Sequence, residues 1–566
     1  MNLLDPARSS DLPDEEFQRL VRATVEFFEA KGLRKLKEDD QAAVWYEDFL
    51  AFVKRERAFA SLLTPAGYGA AASRWDMARI ARYNEVLAFY GLCYWYAWQV
   101  TILGLGPIWM GENEDAKHTA ARLLDEGGIF AFGLSERAHG ADIYSTEMAL
   151  HPQADGTFRA RGSKYYIGNG NRAALVSVFG RVAGTDEYVF FAVRTDHPAY
   201  ELKKKISTSG VRQAYVSALE LHDYPITAAD VLSRGKLAWD SALSTVNVGK
   251  FELGFASIGV CTHAFYEAID HAAGRILYGR PVTDFEHVRR SFSDAWLRLT
   301  AMRLVAMRAL DYFRAASAQD RRYLLFNPIV KMKVTSQGAQ VITALHDVIA
   351  AKGYEQDTYF EMATRDIGML PRLEGTEHVN MALIVKFTRA YFFAAREYPA
   401  VPIQDRPGND AYLFHQATGG LADVTFPDYR HCYEGFGNPN VLLFRELVEA
   451  FRELLQHAPP SKEQQQDASY VLDAGQLFAL VAYGQLLLEG SRLHAVSADV
   501  VDQLFELLVR DFAGFALHMV LAHPCTAEQE SRFRGMLRKP VLDPARAQRI
   551  WSGCVLPLKG RYTMRP

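Results

Sequence analysis

Cysteine is scarce and unpaired in this chain. Cys93, Cys261, Cys432, Cys525 and Cys554 are scattered through 566 residues and odd in number. No two stand at a metal-ligand spacing, and a disulfide scaffold is excluded, so they read as reduced thiols of a cytoplasmic protein. An excess of either charge is also missing: 63 Lys+Arg face 67 Asp+Glu, a net charge of −4, with no basic run beyond Lys203-Lys204-Lys205. That leaves little to attract a phosphate backbone, and nucleic acid is not an expected partner. The N-terminal stretch 1–16 carries Asp5, Asp11, Asp14, Glu15 and Glu16 and no apolar segment of export-signal type. The most apolar stretch near the C-terminus, 477–488, falls short of the roughly 20 residues that span a bilayer. No membrane span is expected. Neither GxGxxG nor a P-loop occurs, which removes the commonest nucleotide loops. The histidines lack HExxH spacing and repeated ExxH pairs, so no metal centre is expected, and Glu374 with His378 reads as a surface pair one helical turn apart.

What is present is an ordinary globular composition, 49% hydrophobic, on a length that suggests roughly three to five structural units. From residue 15 to about 126 apolar side chains recur at helical spacing, as at Phe17, Leu20, Val21, Val25 and Phe28, with a break at 64–69. This predicts an N-terminal helical domain over 1–127. Short β-rich runs follow at 129–134, 158–167, 175–182, 188–193 and 211–221, separated by Asp155-Gly156 and Asn169-Gly170. They predict a central antiparallel β domain over 128–240. The helical period then returns in long segments at 246–278, 286–316, 329–351 and 377–397, which predict a helix bundle over 241–398. Beyond a linker at 399–408, segments 441–456, 473–488 and 500–522 predict an extra helical domain over 399–566, and Thr526 with Gln529 forms a capping-box candidate. The expected fold is α+β, mostly α, without an internal repeat.

Six segments carry a resemblance. Residues 132–143 (FGLSERAHGADI) resemble the "(V/L)TEPxxGSD" strand and loop of the acyl-CoA dehydrogenase family, and Tyr165-Tyr166-Ile167-Gly168-Asn169-Gly170 is similar to its "WITNG". Arg275-Ile276-Leu277-Tyr278-Gly279-Arg280 is similar to "RxxFGxx", Asp294 stands at the Asp of "LADM", Arg365-Asp366 matches "RD", and Leu373-Glu374-Gly375-Thr376 resembles "YEGT". They fall in the family's order, over roughly residues 15–395.

The resemblance implies an FAD enzyme that desaturates acyl thioesters: a carboxylate takes the α-proton while the β-hydrogen leaves as hydride to flavin N5. It assigns the base to Glu374. A carboxylate closed into an apolar thioester site has its pKa raised by desolvation, which suits a weakly acidic C–H, and flavin supplies redox capacity that side chains lack. The flavin would be bordered by Leu134, Ser135, Tyr166 and Gly168. Arg275, Tyr278, Asp347, Ala350, Ala351, Gly353 and Thr376 fall at its other cofactor positions, and Ala141, Asn247, Lys250 and Gly375 at substrate positions. Partners implied are acyl-CoA or an acyl-carrier-protein substrate, an electron-transfer flavoprotein or other acceptor, and a second subunit in a homodimer. Residues 399–566 resemble, in position and length, the extra domain of the very-long-chain subgroup.

Several positions depart from the family pattern. The "QIxGGxGY" segment reads Asp347-Val348-Ile349-Ala350-Ala351-Lys352-Gly353-Tyr354, and an Asp beside a pyrophosphate repels it unless turned away. Gly168 lacks the usual Thr hydroxyl, and Ala141 replaces a Ser. Two other readings stay open at this point: oxygen chemistry on the same fold, as in flavin N-hydroxylases, and a scaffold that has lost its flavin.

Overall fold

The computed structural model describes residues 3–6, 14–417 and 419–566. Part of the acidic N-terminal run, 7–13, therefore lies outside the described residues.

Six helices open the chain: α1 (Glu15–Gln41), α2 (Glu47–Arg55), α3 (Ala58–Leu63), α4 (Met77–Tyr90), α5 (Leu92–Met110) and α6 (Glu114–Asp125). Asp14 caps α1 by accepting from the Phe17 amide, and Asp76 caps α4 by accepting from Ala78 and Arg79, so local chemistry fixes both starts. Helix α5 is apolar all round and every residue in it is buried, as expected of a central helix.

Eight strands follow: β1 (Phe130–Gly133), β2 (Ala149–Pro152), β3 (Phe158–Gly168), β4 (Leu175–Val182), β5 (Tyr188–Val193), β6 (Tyr200–Lys205), β7 (Val216–Ile226) and β8 (Val231–Arg234). They form one sheet in the order β6-β7-β3-β2-β4-β5-β8, with β1 also on β4. The antiparallel expectation needs correction here, because β1 and β2 both pair parallel to β4. The two short strands share one edge of the buried β4, one at each end, and each reaches it through the longer connection that parallel pairing demands. Strand β6 reads Tyr-Glu-Leu-Lys-Lys-Lys and is mostly exposed. It is a charged edge strand, which apolar alternation does not reveal. The strand expected over 211–221 begins only at Val216, because Asp366 accepts from the Val211 amide at 2.8 Å and holds the preceding turn.

Helix α7 (Gly235–Gly274) runs for 40 residues and ends in a hairpin of β9 (Ile276–Leu277) and β10 (Arg280–Pro281). The bundle continues with α8 (Glu286–Arg314), α9 (Tyr323–Ile329), α10 (Thr335–Ile349), α11 (Tyr359–Asp366), α12 (Glu377–Ile384) and α13 (Thr388–Phe393). A π-helical turn, Val330–Val334, joins α9 to α10. The last region holds α14 (Pro439–His457), α15 (Lys462–Gln466), α16 (Ala468–Leu493), α17 (Ala498–Ala522), α18 (Ala527–Gly535) and α19 (Pro544–Ile550). The capping box forms as read: Thr526 Oγ1 accepts from the Gln529 amide at 3.2 Å, and Gln529 Oε1 from the Thr526 amide at 3.0 Å.

By length and composition α16 alone among the described helices is apolar enough to cross a membrane, yet 72% of its most apolar window is buried inside the protein. It packs against α8, α12 and α17. One hydrophobic cluster runs through the N-terminal helices, the bundle and the C-terminal helices, while a second fills the sheet.

Candidate active site

Glu374 sits in a tight turn between α11 and α12, not on a helix. Its own φ is +55° and that of Gly375 is +91°, and the Gly375 and Thr376 carbonyls accept from Asn380 Nδ2 at 3.1 and 2.9 Å. A left-handed non-glycine residue is strained, and here the strain turns the side chain inward. The expected surface pairing with His378 is not made: His378 is exposed, whereas Glu374 Oε1 accepts from Gln99 Nε2 of α5 at 2.6 Å. Gln99 also donates to the Gly249 carbonyl of α7 at 3.2 Å. Gly249 is what lets the carboxylate lie against α7, since a Cβ there would collide with Glu374 Oε2.

Glu374 Oε2 is shut off from solvent with no hydrogen-bond partner among the described residues, as are Gln99 Oε1, Asn247 Nδ2 and both Glu252 oxygens. Such orphans are costly and mark a place that a ligand completes. Burial pushes the Glu374 carboxyl up to about 7, against the Gln99 hydrogen bond and the charges of Lys331 and Lys250. The same burial pushes Lys331 down to about 7, with Glu374 pulling the other way. Lys331 lies in the π-helical turn, and its ammonium donates to the Leu370 and Pro371 carbonyls, each at 2.8 Å. It thereby pins the segment leading into Glu374. Glu252, one turn beyond Gly249, is pushed well up by burial and by the Glu374 charge.

The sheet approaches this carboxylate through Gly168. A Cβ on Gly168 would lie 2.7 Å from the Tyr96 ring and from Val100 Cγ2, and the pKa of the Tyr96 phenol is raised by burial first and then by the charge of the neighbouring Glu374. The space for a threonine side chain is therefore filled by α5. Gly168→Thr is expected to overpack this contact and destabilise the protein by about 1–3 kcal/mol, which thermal unfolding reads as a lower midpoint.

Beside Gly168, Tyr166 has φ +64° and is 63% exposed at a bulge in β3, its ring meeting that of Tyr165 edge to face, so an aromatic side chain is presented to solvent near the end of β3. Ser135 Oγ donates to the Tyr165 carbonyl at 2.7 Å and the Ser135 carbonyl accepts from the Tyr165 amide at 2.9 Å, which clips the ends of β1 and β3 together. The loop after β1 is set by Glu136, which accepts from Lys164 Nζ at 2.7 Å, Thr146 Oγ1 at 2.6 Å and the amides of Glu147 and Met148. Burial raises the Glu136 carboxyl, but Lys164 and these donors outweigh it and hold it below the usual range. Lys164 also donates to the Leu134 carbonyl at 2.9 Å. Ala141 lies exposed on the same loop, and no contact brings it to Glu374.

Arg275 and Tyr278 stand elsewhere, on the β9–β10 hairpin. Tyr278 and Gly279 at its tip have φ of +51° and +78°, and Tyr278 is 96% exposed. Burial, then Arg275 and Lys352, lower the pKa of His271, so the hairpin and the 350–354 turn share one basic neighbourhood. Ala350 keeps a glycine-type backbone, φ +56° and ψ −136°, while a Cβ on Gly353 would press on Ile349 and His346. Asp347 lies exposed, as does Ala351. Two further motif residues are structural. Asp294 pairs with Arg510 at 3.1 Å, and Arg365 pairs with Asp40 and Glu361. The exposed aromatic at Tyr166, the glycine-type turn at Ala350, the basic hairpin and the orphaned carboxylate fit a flavin dinucleotide held against the sheet.

Residues 239–388 match the family model "Acyl-CoA dehydrogenase, C-terminal domain". Over those residues the chain resembles the C-terminal domain of the acyl-CoA dehydrogenases. It is 24% identical over 280 residues to the short-chain specific acyl-CoA dehydrogenase of Megasphaera elsdenii, covering 49% of this chain and 72% of that protein. To an acyl-CoA dehydrogenase of Bacillus subtilis it is 26% identical over 293 residues, 51% of this chain and 76% of the other. The solved acyl-CoA dehydrogenase of Bacillus anthracis, complexed with FAD, superposes with a TM-score of 0.76 over 98% of both chains at 15% identity. That fold likeness extends through α14–α19, so the acyl-CoA dehydrogenase fold with added C-terminal helices is the architecture of this chain.

Proposed function

We propose that this protein desaturates an acyl-CoA thioester between Cα and Cβ, with Glu374 as the base that removes the α-proton. The observation that carries this reading is the Glu374 carboxylate itself, held through Oε1 by Gln99, with Oε2 buried and unpartnered. A base is most effective when its pKa lies near the working pH, and burial brings Glu374 to about 7. Lys331 and Gly249 fix where that carboxylate lies. FAD, when bound, supplies the capacity to accept the β-hydride. Leu134, Ser135, Tyr166 and Gly168 would border its ring system, and Arg275, Tyr278, the 350–353 turn and Thr376 would hold the rest, the basic hairpin suiting the pyrophosphate. Asn247 and Lys250, one turn apart on α7, would meet the thioester side, and Gly375 would leave room for it. The electrons then pass to an electron-transfer flavoprotein or another acceptor. The exposed hairpin, with Ile276 and Tyr278 outward, supports a homodimer in which that surface is covered. The unpaired cysteines support a cytoplasmic protein.

The test is α-proton exchange. The FAD-loaded protein incubated with an acyl-CoA in deuterium oxide is expected to wash deuterium into the α-position. The rate should rise with pH through about 7, because the active form is the carboxylate and its folded pKa is raised. A pH-independent rate between 5 and 8, or none at all, would contradict Glu374 as base.

A further inference from the structure

Outside the Glu374 site, three side chains of the C-terminal helices converge without a cation among them. Asp473 comes from α16, His518 from just before the last turn of α17, and His523 from the residue just beyond that helix, where the backbone turns extended with φ −126° and ψ 146°. That turn folds the His523 ring back along the helix toward His518. His523 Nε2 lies 2.8 Å and His518 Nε2 3.2 Å from the same Asp473 Oδ2, and all three ligand atoms lie within 4.8 Å of one another. The rings meet edge to face at 88° with centroids 6.1 Å apart, so both nitrogens point at one spot. Tyr470, one turn before Asp473, packs edge-on against His523.

Burial grades across the group. The His523 side chain is 5% exposed, Asp473 32% and His518 54%, so one side is seated in protein and the other opens to solvent. Two other groups of this composition differ in a decisive way. In Glu136-His139-Glu147, Glu136 is committed to Lys164, and in Glu201-Glu220-His222 both carboxylates pair with Lys203. Asp473 has no Lys or Arg partner among the described residues, only the two imidazoles.

The geometry points to a zinc site formed by Asp473, His518 and His523, with a water in the fourth position on the exposed side. Two imidazole nitrogens and one carboxylate oxygen suit Zn²⁺ rather than Ca²⁺ or Mg²⁺, which take oxygen ligands. Nitrogen and oxygen ligands about 2.0–2.2 Å from a tetrahedral ion stand a little over 3 Å apart, close to the separations of Asp473 Oδ2 from each imidazole. Binding requires each Nε2 to offer its lone pair, its hydrogen moving to Nδ1; no redox change is involved. The ion would clamp the end of α17 to α16. It shares no residue with the Glu374 site, so the two readings stand or fall separately. The helical spacing rules missed it because His518 and His523 are five residues apart, which an unbroken helix does not bring onto one face, and because their partner comes from another helix.

The test is titration of the metal-free full-length protein with zinc chloride by calorimetry, alongside thermal unfolding. One equivalent of zinc per chain and a raised unfolding midpoint are expected. Cobalt(II) should give the visible bands of a tetrahedral site. His518→Ala, a change at a largely exposed position, should weaken binding by about 100-fold or more, since even outer-shell changes cost 10–100-fold. Asp473→Asn should do the same. Stoichiometry and affinity unchanged in both variants would mean zinc on other histidines only and would overturn the site, as would no binding to the wild-type chain.

Discussion

Glu374→Gln is expected to retain FAD while α-proton abstraction falls by about 10²–10⁴-fold, the usual contribution of a general base. The same variant should be more stable than wild type at neutral pH. Burial lifts the folded pKa of Glu374 from 4.5 to about 7, so the native state holds its proton to higher pH than the unfolded chain. Its stability therefore falls as pH rises between those values, by up to about 3 kcal/mol at about 1.4 kcal/mol for each pKa unit. Gln carries no such loss. Lys331, deprived of the carboxylate that draws it back toward the charged form, returns part of the gain. The difference in unfolding midpoint, Gln variant minus wild type, should thus open as pH rises from 5 to 8. Equal midpoints at every pH would mean the carboxyl is not buried as described, and wild-type turnover would remove it from the chemistry.

Gly249→Ala is the second large effect. In the middle of a helix alanine is favoured over glycine by about 1 kcal/mol, so the backbone of α7 has no reason to fail. The added methyl, however, occupies the place of Glu374 Oε2, and the carboxylate must move. A displacement on the order of 1 Å costs about 10²-fold in rate, and the expected result is that loss in the rate of flavin reduction with FAD content unchanged. Full activity in the alanine variant would show that the carboxylate works from another position.

The elements most legible in the sequence were those with local signals. The 3.6-residue period located the long helices, the Thr526 capping box marked the start of α18, and strands β4 and β5 lie at 175–182 and 188–193, as their apolar runs predicted. Glu374 was legible through its Gly-Thr neighbours. The rest of its setting was not, because Gln99, Gly249 and Lys331 come from three helices far apart in sequence, and a glycine needed for close approach looks like any other. Asp347 and the Ala350-Ala351 pair read as threats to the cofactor turn, yet Ala350 keeps the glycine-type backbone and Asp347 lies exposed. Gly168 read as a lost hydroxyl, whereas Tyr96 and Val100 fill the space around it.

The most direct measurement is the visible spectrum of the purified protein during anaerobic titration with acyl-CoA esters of graded chain length. Flavin bands that bleach with one class of ester, and stay unbleached by the same ester in Glu374→Gln, are the expected result. A protein without flavin bands, or one whose bands persist with every ester, would contradict acyl-CoA desaturation at Glu374.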